Sequence, residues 1–208
     1  MMRQTNRCLS PLLALCAALL APALRAEEPA VTNTPAPQVV EVVVQTGLGE
    51  IGLALEKDRA PLTTANFLRY VDAHRLDGTT FYRALKLDAD GKYGLVQGGL
   101  RGNRKLTFKP VAHESPTTTG LHHVDGAISM ARGEPGSATA DFFITIGELS
   151  SLDGKTDGSD PGYAVFGHVT SGMDLVRKML ELPRDPLAGE GVMKGQMLAE
   201  PVKIVTVR

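Results

Sequence analysis

Two polar side chains set among aromatic residues carry the chemical interest of this 208-residue chain: Arg83 in Phe81-Tyr82-Arg83 and Gln97 in Gln97-Gly98-Gly99. Three further blocks follow in order, Ser129-Met130-Ala131-Arg132, Phe142-Phe143-Ile144 and Tyr163-Ala164-Val165-Phe166-Gly167. Each mixes strand-forming aromatic or β-branched residues with a polar group, which suits a barrel wall presenting an apolar pocket with few donors. A guanidinium stays charged and offers several N–H groups from a planar fork, while a carboxamide donates and accepts at once. Taken alone, Arg83 reads by default as a surface arginine paired with Asp or Glu, and Gln97 as an ordinary strand glutamine.

Other residue types invite other chemistry. His113-Glu114 and His122-His123 with Asp125 are metal-ligand types, and Ser129 near them suggests a hydrolase. None has the helical i,i+4 spacing or a G-x-S-x-G motif, so satisfied turn histidines are expected, with His74 and His168 equally structural. Asp88, Asp90, Asp153, Asp157 and Asp160 sit in Gly-rich loops without completing a calcium loop, and read as solvated turns. Gly47, Gly49 and Gly52 spell a dinucleotide fingerprint, but Ile51, Leu53 and Leu55 alternate as a strand where that motif needs a helix.

The elements that must position these residues are mostly short strands. Val39–Val44 and Ile51–Leu55 flank a hairpin turn, and further strands are expected at Thr79–Arg83, Leu95–Gln97, Ala127–Met130, Phe142–Ile146, Tyr163–His168 and Val202–Val207. One helix is expected over Pro61–Ala73, its apolar face formed by Leu62, Ala65, Phe67, Leu68 and Val71, and another from Gly172 to Pro183. Two helices among many short strands predict a closed β-barrel capped by the helices, with a β-sandwich as the alternative from pattern alone.

Residues 1–26 read as an export signal: Arg3 and Arg7 precede the apolar run Leu12–Leu24, and small residues end it near Ala26, with Ala23 as a second cleavage point. The run is too short and too Pro-interrupted to span a bilayer securely, although an uncleaved anchor is the competing reading. Leu13-Ala14-Leu15-Cys16 faintly resembles a lipoprotein box, but bulky Leu15 and the apolar continuation argue against lipidation. Both cysteines, Cys8 and Cys16, lie in this segment, so the mature chain has no disulfide and no thiol chemistry. Residues 27–38 read as a flexible Pro/Ala/Thr tether, and residues 39–208 as one domain. Losing Arg3, Arg7 and Arg25 leaves 19 basic against 23 acidic side chains, a net charge of −4, which sets nucleic-acid binding aside.

Taken in order, the blocks resemble the cyclophilins, and the resemblance covers nearly all of residues 39–208. It extends to the Gly49-Glu50-Ile51 hairpin, Glu114, Leu152-Asp153-Gly154 and Gly172-Met173. It implies a mainly β fold, a closed antiparallel eight-stranded barrel capped by two α-helices, acting as a peptidyl-prolyl cis-trans isomerase without cofactor or metal. It further implies a monomer that binds proline-containing segments of folding proteins, with no nucleic acid and, once the signal is removed, no membrane as partner; export places it in the periplasm. By the same resemblance Arg83 is the catalytic donor and Gln97 holds the substrate backbone and Arg83. Phe143, Leu152 and Phe166 form the floor and walls of the proline pocket, Leu95 forms its rim, and Tyr163 and Tyr82 stand where the family often has histidines. The sequence departs from the family at Gly94, where a pocket phenylalanine is usual, at Ser151 in place of tryptophan and at Asp141 in place of glutamine. The expectation is a weakened proline pocket unless Tyr93 fills the space. The alternative function on the same fold is a proline-peptide-binding chaperone without turnover.

Overall fold

A computed structural model describes residues 38–208; the expected signal (1–26) and all but Gln38 of the expected tether (27–38) lie outside them. Nine strands form in chain order: β1 Val39–Thr46, β2 Gly49–Glu56, β3 Thr80–Lys86, β4 Gly94–Gly99, β5 Ala127–Met130, β6 Phe142–Ile146, β7 Val165–Ser171, β8 Arg184–Asp185 and β9 Met197–Val207. They pair in the order β1-β2-β7-β5-β6-β4-β3-β9, and β9 returns to β1, so eight strands close a barrel in which every pairing is antiparallel. The two-residue β8 is an appendage on the outer part of β9. The sandwich alternative is therefore excluded.

Helix α1 (Pro61–Asp72) begins with proline at its first turn, where the missing N–H costs nothing. Its free N–H groups are capped from afar: Glu114 accepts from Leu62 N at 3.1 Å and from Thr63 N at 2.7 Å. The face it buries differs from the expected one. Leu62 and Ala65 are exposed, whereas Thr63, Thr64 and Asn66 are buried beside Phe67, Tyr70 and Val71. Those polar groups tolerate burial because each is hydrogen-bonded, Thr63 to Glu114, Thr64 to the Glu56 carbonyl and Asn66 to the Thr139 carbonyl at 2.6 Å. Helix α3 (Met173–Glu181) packs Val176, Met179 and Leu180 inward as its spacing predicts. A one-turn helix, α2 (Pro116–Thr119), adds a third to the two expected.

Alternate residues of each strand fill the barrel, as a period of two requires. Ala84, Val96, Phe142, Ile144 and Ile146 turn inward and join Phe67, Phe81 and Phe166, whose rings meet at 5.3–5.7 Å through Phe67 and Phe142. Their neighbours along the same strands must then point out of the barrel, and the functional side chains are found there. Among the described residues no helix is long and apolar enough to cross a membrane.

Candidate active site

Arg83, Gln97 and Phe143 lie opposite one another across β3, β4 and β6, in a row on the outside of the barrel. Leu85 and Leu95 form the next row of the same face. Tyr82 joins them through an irregularity: the β3–β4 register slips between Phe81 and Arg83, so one extra residue is accommodated on β3. Together with Arg101, Arg132, Thr139, Asp141, Leu152, Tyr163, Glu190 and Met193, among others, these residues line an open groove of about 930 Å³.

Arg83 is held by two carboxamides. Its Nη1 donates to Gln97 Oε1 at 2.6 Å, and its Nε and Nη2 donate to Gln196 Oε1 at 2.8 and 2.6 Å. Of the five guanidinium N–H groups, three are thus engaged and two remain for a bound molecule. Burial pushes its pKa below the usual arginine range, yet arginine keeps its charge. Among the described residues no carboxylate pairs with it. The default reading of a surface ion pair therefore fails: the charge is oriented, not neutralised.

Gln97 passes the constraint on, its Nε2 donating to the Tyr82 hydroxyl at 2.7 Å. Burial in turn drives the Tyr82 pKa up, with Asp141 adding to the rise, so Tyr82 keeps its proton. Gln196 is fixed from behind by donation to the Val192 carbonyl at 2.6 Å. Sequence reasoning missed Gln196. It sits in the irregular stretch between α3 and β9, where no periodicity marks it. β9 begins at Met197, well before the expected Val202, and Met197 pairs with Arg83.

The apolar floor is Phe143, 3% exposed, with Leu95 and the half-buried Leu152 beside it. Tyr163 meets Phe143 edge-on at 5.6 Å and lies under the Arg132 guanidinium at 4.7 Å. Arg132 donates to the carbonyls of Gly133 and Gly162, which ties the two walls of the groove together. Asp141 Oδ1 accepts the Arg101 N–H at 2.8 Å; burial raises its pKa.

Phe166 requires a correction: it is fully buried in the barrel core, 5.3 Å from Phe67, and does not reach the groove. Val165 is paired with Ser129 and Gly167 with Ile128, so Phe166 is the extra residue at the β5–β7 irregularity and lies in the core. The missing ring at Gly94 has no pocket to fill either. A Cβ there would meet the Leu85 carbonyl at 2.5 Å and Leu180 of α3 at 2.9 Å, on the inner side of β4. Tyr93 stands against Gly147 instead, and Leu85 beside Leu95 supplies the apolar wall.

A second constellation lies behind the floor. Asp153, expected as a solvated turn residue, accepts from His123 N at 2.8 Å and bonds His123 Nδ1 at 2.6 Å and His122 Nδ1 at 2.9 Å. His123 Nε2 then accepts from Ser129 Oγ at 3.0 Å. The linkage is that of a serine hydrolase, but Ser129 and His123 are fully buried and the Phe143 ring stacks on the imidazole at 5.8 Å. No substrate can reach that oxygen. The cluster instead fixes Phe143 and, through Asp153, the turn carrying Leu152. His113, another of the candidate ligands, is bonded to the Pro161 carbonyl at 3.0 Å.

An open groove on the outside of a closed eight-stranded barrel, with an arginine steadied by glutamines above an apolar floor, defines a peptide-binding isomerase class. Residues 41–208 match the family model described as cyclophilin type peptidyl-prolyl cis-trans isomerase/CLD, and the chain belongs to that family and is an enzyme of that class. A peptidyl-prolyl cis-trans isomerase from Acinetobacter baylyi is 34% identical over 170 residues, 80% of this chain and 84% of that protein. A peptidyl-prolyl cis-trans isomerase A from Dickeya dadantii is 37% identical over 145 residues, 68% of this chain and 71% of that protein. The fold is similar to a crystal structure of a Cryptosporidium parvum cyclophilin type isomerase, with a TM-score of 0.62 at 19% identity, covering 82% of this chain and 96% of that one. A second structure of that isomerase, in the presence of the dipeptide Ala-Pro, gives 0.60 at 20% identity, over 81% and 97% of the chains.

Proposed function

We propose that this chain accelerates cis-trans isomerisation of X-Pro bonds in exported proteins, with Arg83 as the catalytic donor and Phe143, Leu95, Leu152 and Tyr163 as the seat of the proline ring. Rotation about a peptide C–N bond costs roughly 18–20 kcal/mol because resonance is lost. In the twisted transition state the prolyl nitrogen recovers its lone pair, so an N–H aimed at that nitrogen binds the transition state better than either planar ground state. Neither nucleophile nor general base is needed. The carrying observation is that Arg83 keeps two N–H groups and an unneutralised charge beside the groove, its other three N–H groups being taken by Gln97 and Gln196. Gln97 retains one N–H and one lone pair for the substrate backbone. The chain acts in the periplasm after cleavage at Ala26 or Ala23, a reading supported by the apolar run and small residues of its first 26 positions.

The test is exchange NMR on a short X-Pro peptide. Wild type accelerates the exchange, and Arg83→Ala lowers kcat/KM by about 100-fold while the protein stays folded. Full activity in a folded Arg83→Ala protein would remove the donor assignment; peptide binding without acceleration in wild type would leave the chaperone alternative. Osmotic shock and N-terminal sequencing of the full-length chain expressed in a Gram-negative host decide its location.

A further inference from the structure

One concentration of positive charge takes no part in the isomerisation chemistry. Between Gly91 and His113 the chain carries Lys92, Arg101, Arg104, Lys105 and Lys109 and no carboxylate, although residues 27–208 bear a net charge of −4. The fold gathers four of these and adds two from α1 and its end. Asn103 N donates to the Leu100 carbonyl at 3.0 Å, and Leu106 N and Thr107 Oγ1 donate to the Asn103 carbonyl at 3.1 and 2.8 Å, winding residues 100–107 into a tight turn. Phe108 then folds back onto α1, where the Arg75 guanidinium lies 3.6 Å and the Arg69 guanidinium 4.4 Å from its ring centre. Arg69 also donates to the Lys109 carbonyl at 3.1 Å and Arg75 to the Leu106 carbonyl at 2.7 Å. Like charges on one ring repel, so this arrangement concentrates charge where dispersal would cost less.

Arg69, Arg75, Arg101, Arg104, Lys105 and Lys109 make no ion pair among the described residues. Of the carboxylates nearby, Asp141 is engaged by the Arg101 N–H, and Asp72 on α1 pairs with none of them. Arg101 joins this surface to the groove: it lines the groove, with its guanidinium 5.6 Å from the centre of the Tyr82 ring. Arg104 and Lys105 follow within about 15 Å of chain.

We propose that this basic surface is a second binding element for the polypeptide whose proline occupies the groove, taking runs of Asp and Glu a few residues to one side of that proline. The proposal rests on the isomerase reading. A peptide chain is the favoured occupant because Arg101 belongs to both the groove and the patch, so a chain leaving the groove on that side meets the cations directly. An anionic bilayer or a nucleic acid wider than the patch meets the acidic remainder of the molecule instead.

The experiment compares three peptides centred on one Ala-Pro bond and flanked by glutamates, glutamines or lysines, measuring KM by exchange NMR and Kd by fluorescence polarisation on the mature protein. At low salt the glutamate peptide binds about fivefold more tightly than the glutamine peptide, the yield of a few exposed ion pairs. The advantage vanishes at 1 M salt, where the Debye length is about 3 Å. Arg104→Glu combined with Lys105→Glu reverses the preference towards the lysine peptide. Equal Kd for all three peptides at low salt, or a preference unmoved by the double variant, overturns the proposal. So does retention by phosphatidylglycerol vesicles or single-stranded RNA without discrimination among peptides, which assigns the surface to another partner. Because Kd is read separately from turnover, an inactive protein would sink the isomerase reading while the peptide preference still decides this one.

Discussion

The behaviour of Arg83 depends on the residue behind it. Gln196 spends one carbonyl oxygen on two of the guanidinium N–H groups, so it fixes the plane of the fork while adding no negative charge. Gln196→Leu should cost about tenfold in kcat with little change in KM, the loss of hydrogen bonds to a charged group. Gln196→Glu separates orientation from potential: it can keep both hydrogen bonds but neutralises the cation. An equal or larger fall in kcat is expected, and a glutamate variant with wild-type kcat would show that the unneutralised charge is irrelevant. His123 is the other residue whose state matters, since it lies behind Phe143 and faces Asp153, Ser129 and His122. Burial holds its pKa below the ordinary 6.5, outweighing the hydrogen bond it donates to Asp153, which raises it. The unfolded chain therefore takes up this proton first as pH falls, so stability is lost on acidification below 6.5, by at most about 1.4 kcal/mol per pH unit. Asp153 moves the other way, its pKa lowered because hydrogen bonds from His123 and His122 outweigh burial, so its contribution is complete above 3.8 and fades as the pH falls below that value. Imidazole 15N shifts at about pH 7.5 should show His123 neutral, protonated on Nδ1; an imidazolium signal there would contradict the assignment.

At the level of strands, alternation decides which side chains can do chemistry and which cannot. Arg83, Gln97 and Phe143 share the outer face, whereas Gly94, one position before Leu95, faces α3. Gly94→Phe should thus leave peptide affinity unimproved and lower the urea midpoint, at a cost of about 1–3 kcal/mol or more for driving a ring against Leu180. A tenfold gain in peptide affinity would mean that the ring had reached the groove after all. The same alternation explains what could be read from the chain. Eight barrel strands and two helices follow from period and turn residues, because those signals are local, and Phe142 could be separated from Phe143 on parity alone. Register irregularities are not local. The extra residue at Tyr82 and the slip between Ile128 and Ser129 depend on which strand lies alongside, and the second governs where Phe166 points. Gln196 and the Ser129–His123–Asp153 linkage were hidden for a related reason: their partners are brought up by loops whose path is set by the closed barrel.

Closure is the property of the whole molecule that makes a site on the outer wall possible, since the sheet facing the groove is braced from inside by a filled barrel and has no free edge to distort. The seam is narrow. β1 and β9 meet at Val44 with Val207, Gln45 with Thr206 and Thr46 with Ile204, and the chain end adds reciprocal bonds between Val43 and Arg208 at 2.7 and 3.0 Å. Arg208 also binds Asp77 at 2.7 Å and lowers its pKa, which ties the last residue to the loop before β3. Deleting residues 206–208 removes two of the three seam pairings and the fully buried Val207. Lost apolar burial of about 1.5–3 kcal/mol together with a few backbone hydrogen bonds of about 1 kcal/mol each should lower the unfolding free energy by several kcal/mol. Amide exchange should then quicken in β1 and β9 before β4 and β6, and the two exposed edges should promote self-association. Arg83, Gln97 and Phe143 lie on β3, β4 and β6, with β9 reaching Arg83 through Met197, far along the strand from Val207. Molecules that remain folded at low temperature should therefore turn over the X-Pro peptide at close to the full rate. A truncated chain with an unchanged urea midpoint would show that the barrel does not depend on its seam, and a stable truncated chain that had lost turnover would show that the seam reaches the site.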